Sequence, residues 1–431
     1  MGNMMQGSSF GSMLLAASLT ALGPSAASAE EWTLTTLYSF KGGGDGQTPD
    51  GGVVADASGA LYGTTQGADS PDLWGTIFKV TPPSDGSSDW TEQVLLHFPG
   101  GASGYAPAAG VIFGPAGSLY GTAFGGGTTK AGGSPSGVTY RLYPPAPSIE
   151  RWHPSLVYSF ANGDQPHASL LHGPGNVLYG TAATSAPAGS SGRGSAFVLA
   201  PPAVAGGAWT LSYLHIFTGL DGDGARPEGA LIADASGALY GTTSIGGLGG
   251  EGIVFKLTPP AVAGGTWTET ILHTFLGEST DGADPNSALV MDKKGVLYGT
   301  TGLGGTKDLG TIFQLTPPTS SAGKWGYSVL HNFAGPDGAI PASPLLLGAT
   351  GEFYGTTSGN GNGSYGTVFR LTPPATEGGK STVKVLYSFS GATDGSSPSG
   401  PLLLLHSALY GTTETGGSEG NGTVFELAAS P

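Results

Sequence analysis

The sequence predicts an all-β fold, a seven-bladed β-propeller of four-stranded antiparallel blades, and three observations predict it. The first is a repeat. Leu61-Tyr62-Gly63-Thr64-Thr65 returns in near copies centred on Tyr120, Tyr179, Tyr240, Tyr298, Tyr354 and Tyr410, at intervals of 58, 59, 61, 58, 56 and 56 residues, a period suited to propeller blades rather than to short helical solenoids. The second is the content of each period, four strand-like runs separated by turn residues. The third is the order at the ends. The chain begins with a fourth run, Trp32 to Phe40, and finishes with a third run, Gly422 to Leu427, so pairing the two completes the last blade, closes the ring and removes an exposed edge.

The first period shows the elements in order. Pro49 to Asp56 is the first run, and a Ser58-Gly59 turn leads to Ala60 to Thr65 with the Tyr-Gly-Thr core. A glycine-rich loop precedes Gly75 to Val80, and Pro82-Pro83 separates this third run from Trp90 to Phe98. The 79 Gly and 32 Pro of the 431 residues fall between these runs, where they punctuate turns. No segment carries the apolar spacing of an amphipathic helix.

Residues 1–29 differ from the rest. They carry no charge, hold an apolar run from Met13 to Leu22 and end in Ala27-Ser28-Ala29, which reads as a signal peptide. Residues 30–431 then form a single propeller domain, expected to be exported to the periplasm, the cell surface or the medium as a monomer. With 15 Lys and Arg against 30 Asp and Glu, the net charge is −15 and the pI near 4.7. That balance repels nucleic-acid phosphates and anionic lipid. No apolar run is long enough to span a bilayer, and the absence of Cys removes disulfides, thiolate nucleophiles and cysteine metal sites.

The repeated order Asp-Gly-x-x-Pro, Leu-Tyr-Gly-Thr-Thr, Gly-Gly and Gly-Thr-Val-Phe-Lys-Leu-Thr-Pro, clearest over 353–372 (FYGTTSGNGNGSYGTVFRLT), resembles the bacterial choice-of-anchor tandem-repeat family of GloVer-containing proteins. The resemblance covers all seven periods. It implies an exported protein and transfers no family-wide activity and no catalytic residue.

Positions that repeat are read as folding positions. His215, His273 and His331 exchange with Tyr38, Tyr158 and Tyr387 at one place in the fourth run and are expected to pack with satisfied ring nitrogens rather than to bind metal, because equivalent places in neighbouring blades are too far apart to share an ion. Trp32, Trp90, Trp152, Trp209, Trp267 and Trp325, and the Tyr-Gly-Thr tyrosines, are expected in the core between blades. Asp45, Asp221, Asp223, Asp281, Asp337 and Asp394 precede glycine and suit tight turns. Only Asp221 and Asp223 hint at a cation, calcium, and they lack the other ligands of a known loop signature. No further metal or cofactor is expected.

Positions that vary carry the functional candidates. Immediately after the Pro that opens each first run stand Asp50, Ala108, His167, Glu228, Asn286, Ala342 and Ser399, expected to ring the mouth of the central channel. There Asp50, His167 and Glu228 form a candidate general acid and base set, with Asn286 and Ser399 as ligand contacts; the competing reading is a solvated rim. His172 breaks the apolar pattern of its run and faces either the channel or the adjoining blade. Trp74, Lys130, Arg193 and Tyr365, in the loops of the same face, can grip a glycan or an anion, or simply pack. The leading expectation is a binding or scaffold protein that recognises a polysaccharide or a protein partner through this face. The alternatives are a polysaccharide lyase or glycoside hydrolase at the channel mouth and a structural cell-surface component.

Overall fold

A computed structural model describes residues 30–67, 74–85, 87–128, 135–161, 163–184, 193–204, 206–262, 264–320, 323–359, 365–374 and 379–430. The expected leader and Lys130 lie outside them. The described chain forms seven four-stranded antiparallel sheets. The only helical segments among the described residues are four 3-10 turns of three residues each.

In the first blade the strands run Val54–Ala55, Leu61–Thr65, Thr76–Thr81 and Thr91–His97 from the axis outward. The innermost strand pairs over only two residues, short of the expected run from Pro49 to Asp56, and backbones approach closely around the axis. Gly51 shows how tightly: a Cβ there would come within 2.2 Å of the Gly110 nitrogen in the next blade. The same order builds six blades within continuous chain. The seventh blade is composite. Leu403–Leu405, Ala408–Thr413 and Thr423–Ala429 come from the C-terminal end, and the outer strand Trp32–Ser39 comes from the N-terminal end. Trp32 pairs with Ala429 and Ser39 with Thr423, and Glu30 adds ion pairs to Arg370 at 2.9 Å and Lys384 at 3.5 Å.

The repeated residues join each blade to the next. The Phe that ends every outer strand meets an aromatic ring in the third strand of the following blade, from Phe40 with Phe78 at 5.0 Å to Phe389 with Phe425 at 5.3 Å. The six outer-strand tryptophans each lean on the Tyr-Gly-Thr tyrosine of the preceding blade, as Trp152 does on Tyr62 at 6.1 Å and Trp90 on Tyr410 at 6.5 Å. Both sets bury large aromatic area where one blade alone would leave it wet. Glycine in Tyr-Gly-Thr is required by this packing, since a Cβ on Gly63 would sit 2.5 Å from the Phe78 ring. The following threonines are buried hydrogen-bonding groups: Thr242 Oγ1 donates to the Ser287 carbonyl of the next blade at 2.9 Å, and Thr301 and Thr311 pair hydroxyls across one blade at 2.8 Å.

The Asp-Gly turns complete the junctions. Tyr38 Oη donates to Asp45 at 2.7 Å and Tyr387 Oη to Asp394 at 3.1 Å. Where the outer strand carries histidine, Nε2 lies 3.3 Å from Asp223 at His215, 3.2 Å from Asp281 at His273 and 2.6 Å from Asp337 at His331. The expected satisfied histidines are thus tied by carboxylates from the turns.

Candidate functional site

The channel mouth is built on a strained ring. Thr48, Ala106, Gln165, Arg226, Asp284, Ile340 and Ser397, each immediately before the proline of its inner strand, all have φ between 42° and 57°. Left-handed backbone in a residue with a side chain costs on the order of 1–3 kcal/mol. Two backbone bonds offset it at every blade. The N–H of each of these residues donates to a carbonyl of the preceding blade, as Thr48 does to Asn421 at 3.1 Å and Arg226 to Arg193 at 2.7 Å. Its own carbonyl accepts from the end of the second strand, as Thr48 does from Gln66 and Ser397 from Glu414. Because backbone alone makes these bonds, the side chains at three linked positions per blade are free to vary. They present a variable surface on an invariant frame.

The innermost variable position is the one after the proline. Asp50, Ala108, His167, Glu228, Asn286, Ala342 and Ser399 all line one cavity of about 360 Å³ on the axis. Asp50 accepts hydrogen bonds from Ser399 Oγ at 2.6 Å and Gln66 Nε2 at 2.8 Å. Burial nevertheless pushes its carboxyl above the ordinary range, against the pull of Ser399, His167 and Gln66. His167 meets the Phe124 ring edge-on at 5.8 Å. Glu228 is held by Arg226 at 2.7 Å, and it helps to raise the neighbouring Asp284 carboxyl, whose main cause is burial. Asn286 Oδ1 is buried with no hydrogen-bond partner among the described residues.

The structure thus gathers the expected ring on one cavity and divides it into two groups, Asp50 with Ser399 on one side and Glu228 with Arg226 on the other. His172 does not line this cavity. Its ring faces the adjoining blade, edge-on to Tyr120 at 5.6 Å, and burial holds its pKa below the usual value.

Sequence reasoning missed Glu414, which also lines the cavity. Burial and the nearby Asp50 carboxyl push its pKa up, and Ser399 opposes them. The signal was present four residues after each repeated tyrosine, where Gln66, Phe124, Ala183, Ser244, Gly302, Ser358 and Glu414 vary as freely as the inner ring. A third variable position precedes the glycine of each third strand and holds Trp74, Ser136, Arg193, Glu251, Leu309, Tyr365 and Asn421. Trp74 and Tyr365, 49% and 51% exposed, stand on this outer circle. Trp74 lies 5.7 Å from the ring of Tyr105, itself 37% exposed, and Arg193 is exposed on the same circle.

Several solved structures are similar to the chain. An oxidoreductase (glucose dehydrogenase) from Thermus thermophilus is 15% identical over 92% of this chain and 99% of its own, with a TM-score of 0.41. The NanB sialidase of Streptococcus pneumoniae is 12% identical over 91% of this chain and 71% of its own, at 0.42. A Trypanosoma rangeli sialidase is 10% identical over 92% and 58%, at 0.38. At these scores the likeness carries no argument about chemistry. No curated protein matches the chain by sequence. A family model does: the Gloeobacter/Verrucomicrobia repeat matches residues 26–201, 68–309 and 288–431, so the chain belongs to the Gloeobacter/Verrucomicrobia repeat family.

Proposed function

We propose that the protein is an exported carbohydrate-binding propeller that takes a sugar unit of a polysaccharide at the channel mouth. The observation that carries this reading is the balance of polar groups around the cavity: Asp50, Glu228, Glu414 and Asn286 Oδ1 are acceptors, while Ser399 already spends its proton on Asp50. An acceptor-rich cavity suits a ligand rich in hydroxyl donors. The buried Asn286 Oδ1 regains a partner when such a ligand enters, which is worth more than an exposed hydrogen bond. Around the mouth, Trp74, Tyr105 and Tyr365 offer exposed aromatic faces on which a longer glycan can lie. The pairing of Glu228 with Arg226, on the far side from the Asp50 group, favours binding over acid and base catalysis, which needs both groups on one reacting bond.

The test is a panel of plant and bacterial polysaccharides presented to the full chain, read both as retardation in affinity electrophoresis and as soluble products by mass spectrometry. Retardation by at least one glycan, weakened about tenfold or more in Asn286→Ala and without new products, is the expected result. New oligosaccharides that vanish in the His167→Ala, Glu228→Ala double variant would establish the enzyme reading instead. Retardation unchanged in Asn286→Ala would remove the channel mouth as the site.

A further inference from the structure

We infer that the junction of the third and fourth blades is a divalent-metal site of the zinc type, with His215, Asp223 and Glu269 as its protein donors. It lies apart from the channel-mouth residues, and three different elements bring it together. His215 stands near the end of the outer strand Thr210–Ile216 of blade three, Asp223 in the turn that leaves it, and Glu269 near the start of the outer strand Thr268–Thr274 of blade four. Nε2 of His215 is 3.3 Å from Asp223 Oδ1 and 3.6 Å from Glu269 Oε2. One donor atom from each residue lies within 4.8 Å of the others. Donors about 2.1 Å from a tetrahedral ion stand roughly 3.4 Å from one another, so small side-chain adjustments seat an ion. A water would complete the fourth position.

The surroundings orient the donors. Asp223 Oδ2 accepts from the Thr218 N–H at 2.6 Å and its hydroxyl at 2.8 Å, which leaves Oδ1 turned toward His215. Such outer contacts fix ligand direction in metal sites. Phe217 packs edge-on to the imidazole at 4.7 Å. Glu269 Oε1 is buried without a hydrogen-bond partner, and the Asp223 and Glu269 side chains, 15% and 16% exposed, face each other as like charges. A divalent ion answers both deficits at once. The imidazole nitrogen in the set suits zinc and its neighbours better than calcium, which takes oxygen ligands. Asp221, exposed in the same turn, is not one of the three donors.

No other junction offers this set among the described residues. Tyr327 occupies the place of Glu269 at the fourth and fifth blades, stacked on His273 at 3.8 Å. Val383 occupies it at the fifth and sixth, and at the seventh and first Tyr38 stands where His215 does.

The test strips the full chain with a chelator and titrates it with ZnCl2 and, separately, CoCl2. Wild type should bind one Zn2+ per chain with a saturable rise in Tm, and bound Co2+ should show the intense visible absorption of a tetrahedral site. Glu269→Leu and His215→Tyr place residues that the chain itself uses at the equivalent positions Leu211 and Tyr38. Both should weaken Zn2+ binding about tenfold or more while melting as folded proteins without metal. Absence of a Tm shift and of tetrahedral Co2+ absorption in wild type, which needs no variant to fold, would overturn the site, as would unchanged Zn2+ affinity in Glu269→Leu.

Discussion

Two junctions of the ring carry the same pair of carboxylates and differ in the third partner. Between the seventh and first blades, Asp45 of the turn meets Glu92 of the next outer strand, and the partner is the Tyr38 hydroxyl, which donates to Asp45. Between the third and fourth, Asp223 meets Glu269 and the partner is the His215 imidazole. A tyrosine hydroxyl supplies a hydrogen bond and no charge. Burial first, and then the Asp45 charge, push the Glu92 carboxyl up, against the pull of Lys41. Where histidine replaces tyrosine, the same carboxyls face a group that can carry a proton or share an ion with them. One residue type thus changes what can offset the paired carboxylates, a hydroxyl at one junction and an imidazole at the other.

Removal of the N-terminal strand breaks the first of these junctions altogether. Deleting residues 30–41 removes Tyr38, the seven paired positions between Trp32 and Ser39 and the fully buried Phe40. Losing one buried Phe side chain alone costs about 3–5 kcal/mol, and the loss of the strand also exposes the Thr423–Ala429 edge. The truncated chain should melt far below the full one or aggregate, and a melting temperature equal to that of the full chain would refute closure by the N-terminal strand.

The tyrosine junction also responds to pH. The folded-state pKa of Glu92 lies above its ordinary value of 4.5, so the native state holds the proton more tightly than the unfolded chain. Its contribution is fully present below about pH 4.5 and is lost as pH rises toward 8. Glu92→Leu, which copies Leu211 at the same position, should remove this slope and leave the protein more stable than wild type at pH 8, by about 1 kcal/mol once solvent screening of this half-buried group is allowed for, with little difference at pH 4. Chemical denaturation at both values decides it, and parallel pH dependence of the two proteins would show that Glu92 is solvated and ionised.

Residues that repeat made the frame readable. The tyrosine interval, the terminal Phe of each outer strand and the displaced N-terminal strand all mark places where sevenfold packing leaves one residue type acceptable, and the blades, their order and their closure follow from them. The inner ring was readable too, because Pro marks its position in every period. Glu414 was marked only by variation at its position, and Glu269 was not marked at all. Glu414 follows a strand whose last residues all look alike, and Glu269 meets His215 only because the outer strand of one blade leans on the turn of the previous one. A comparison of equivalent positions places histidines of neighbouring blades too far apart for an ion and overlooks the non-equivalent carboxylate between them. Contacts between different positions of successive repeats arise from the ring, and periodicity in one dimension does not display them.

The smallest effect separates the composite blade from a continuous one. Thr242 Oγ1 is buried and donates to the Ser287 carbonyl of the next blade at 2.9 Å, while Thr412, the same residue of the repeat in the seventh blade, has a buried Oγ1 with no hydrogen-bond partner among the described residues. Valine keeps the shape of threonine and deletes the hydroxyl. Thr242→Val should cost about 1 kcal/mol, because it also leaves a buried carbonyl unpaired, and Thr412→Val should be neutral or slightly stabilising because an unsatisfied hydroxyl leaves the interior. Equal losses in the two variants, measured by denaturation under one condition, would mean that the hydroxyl bonds at the composite blade as it does elsewhere.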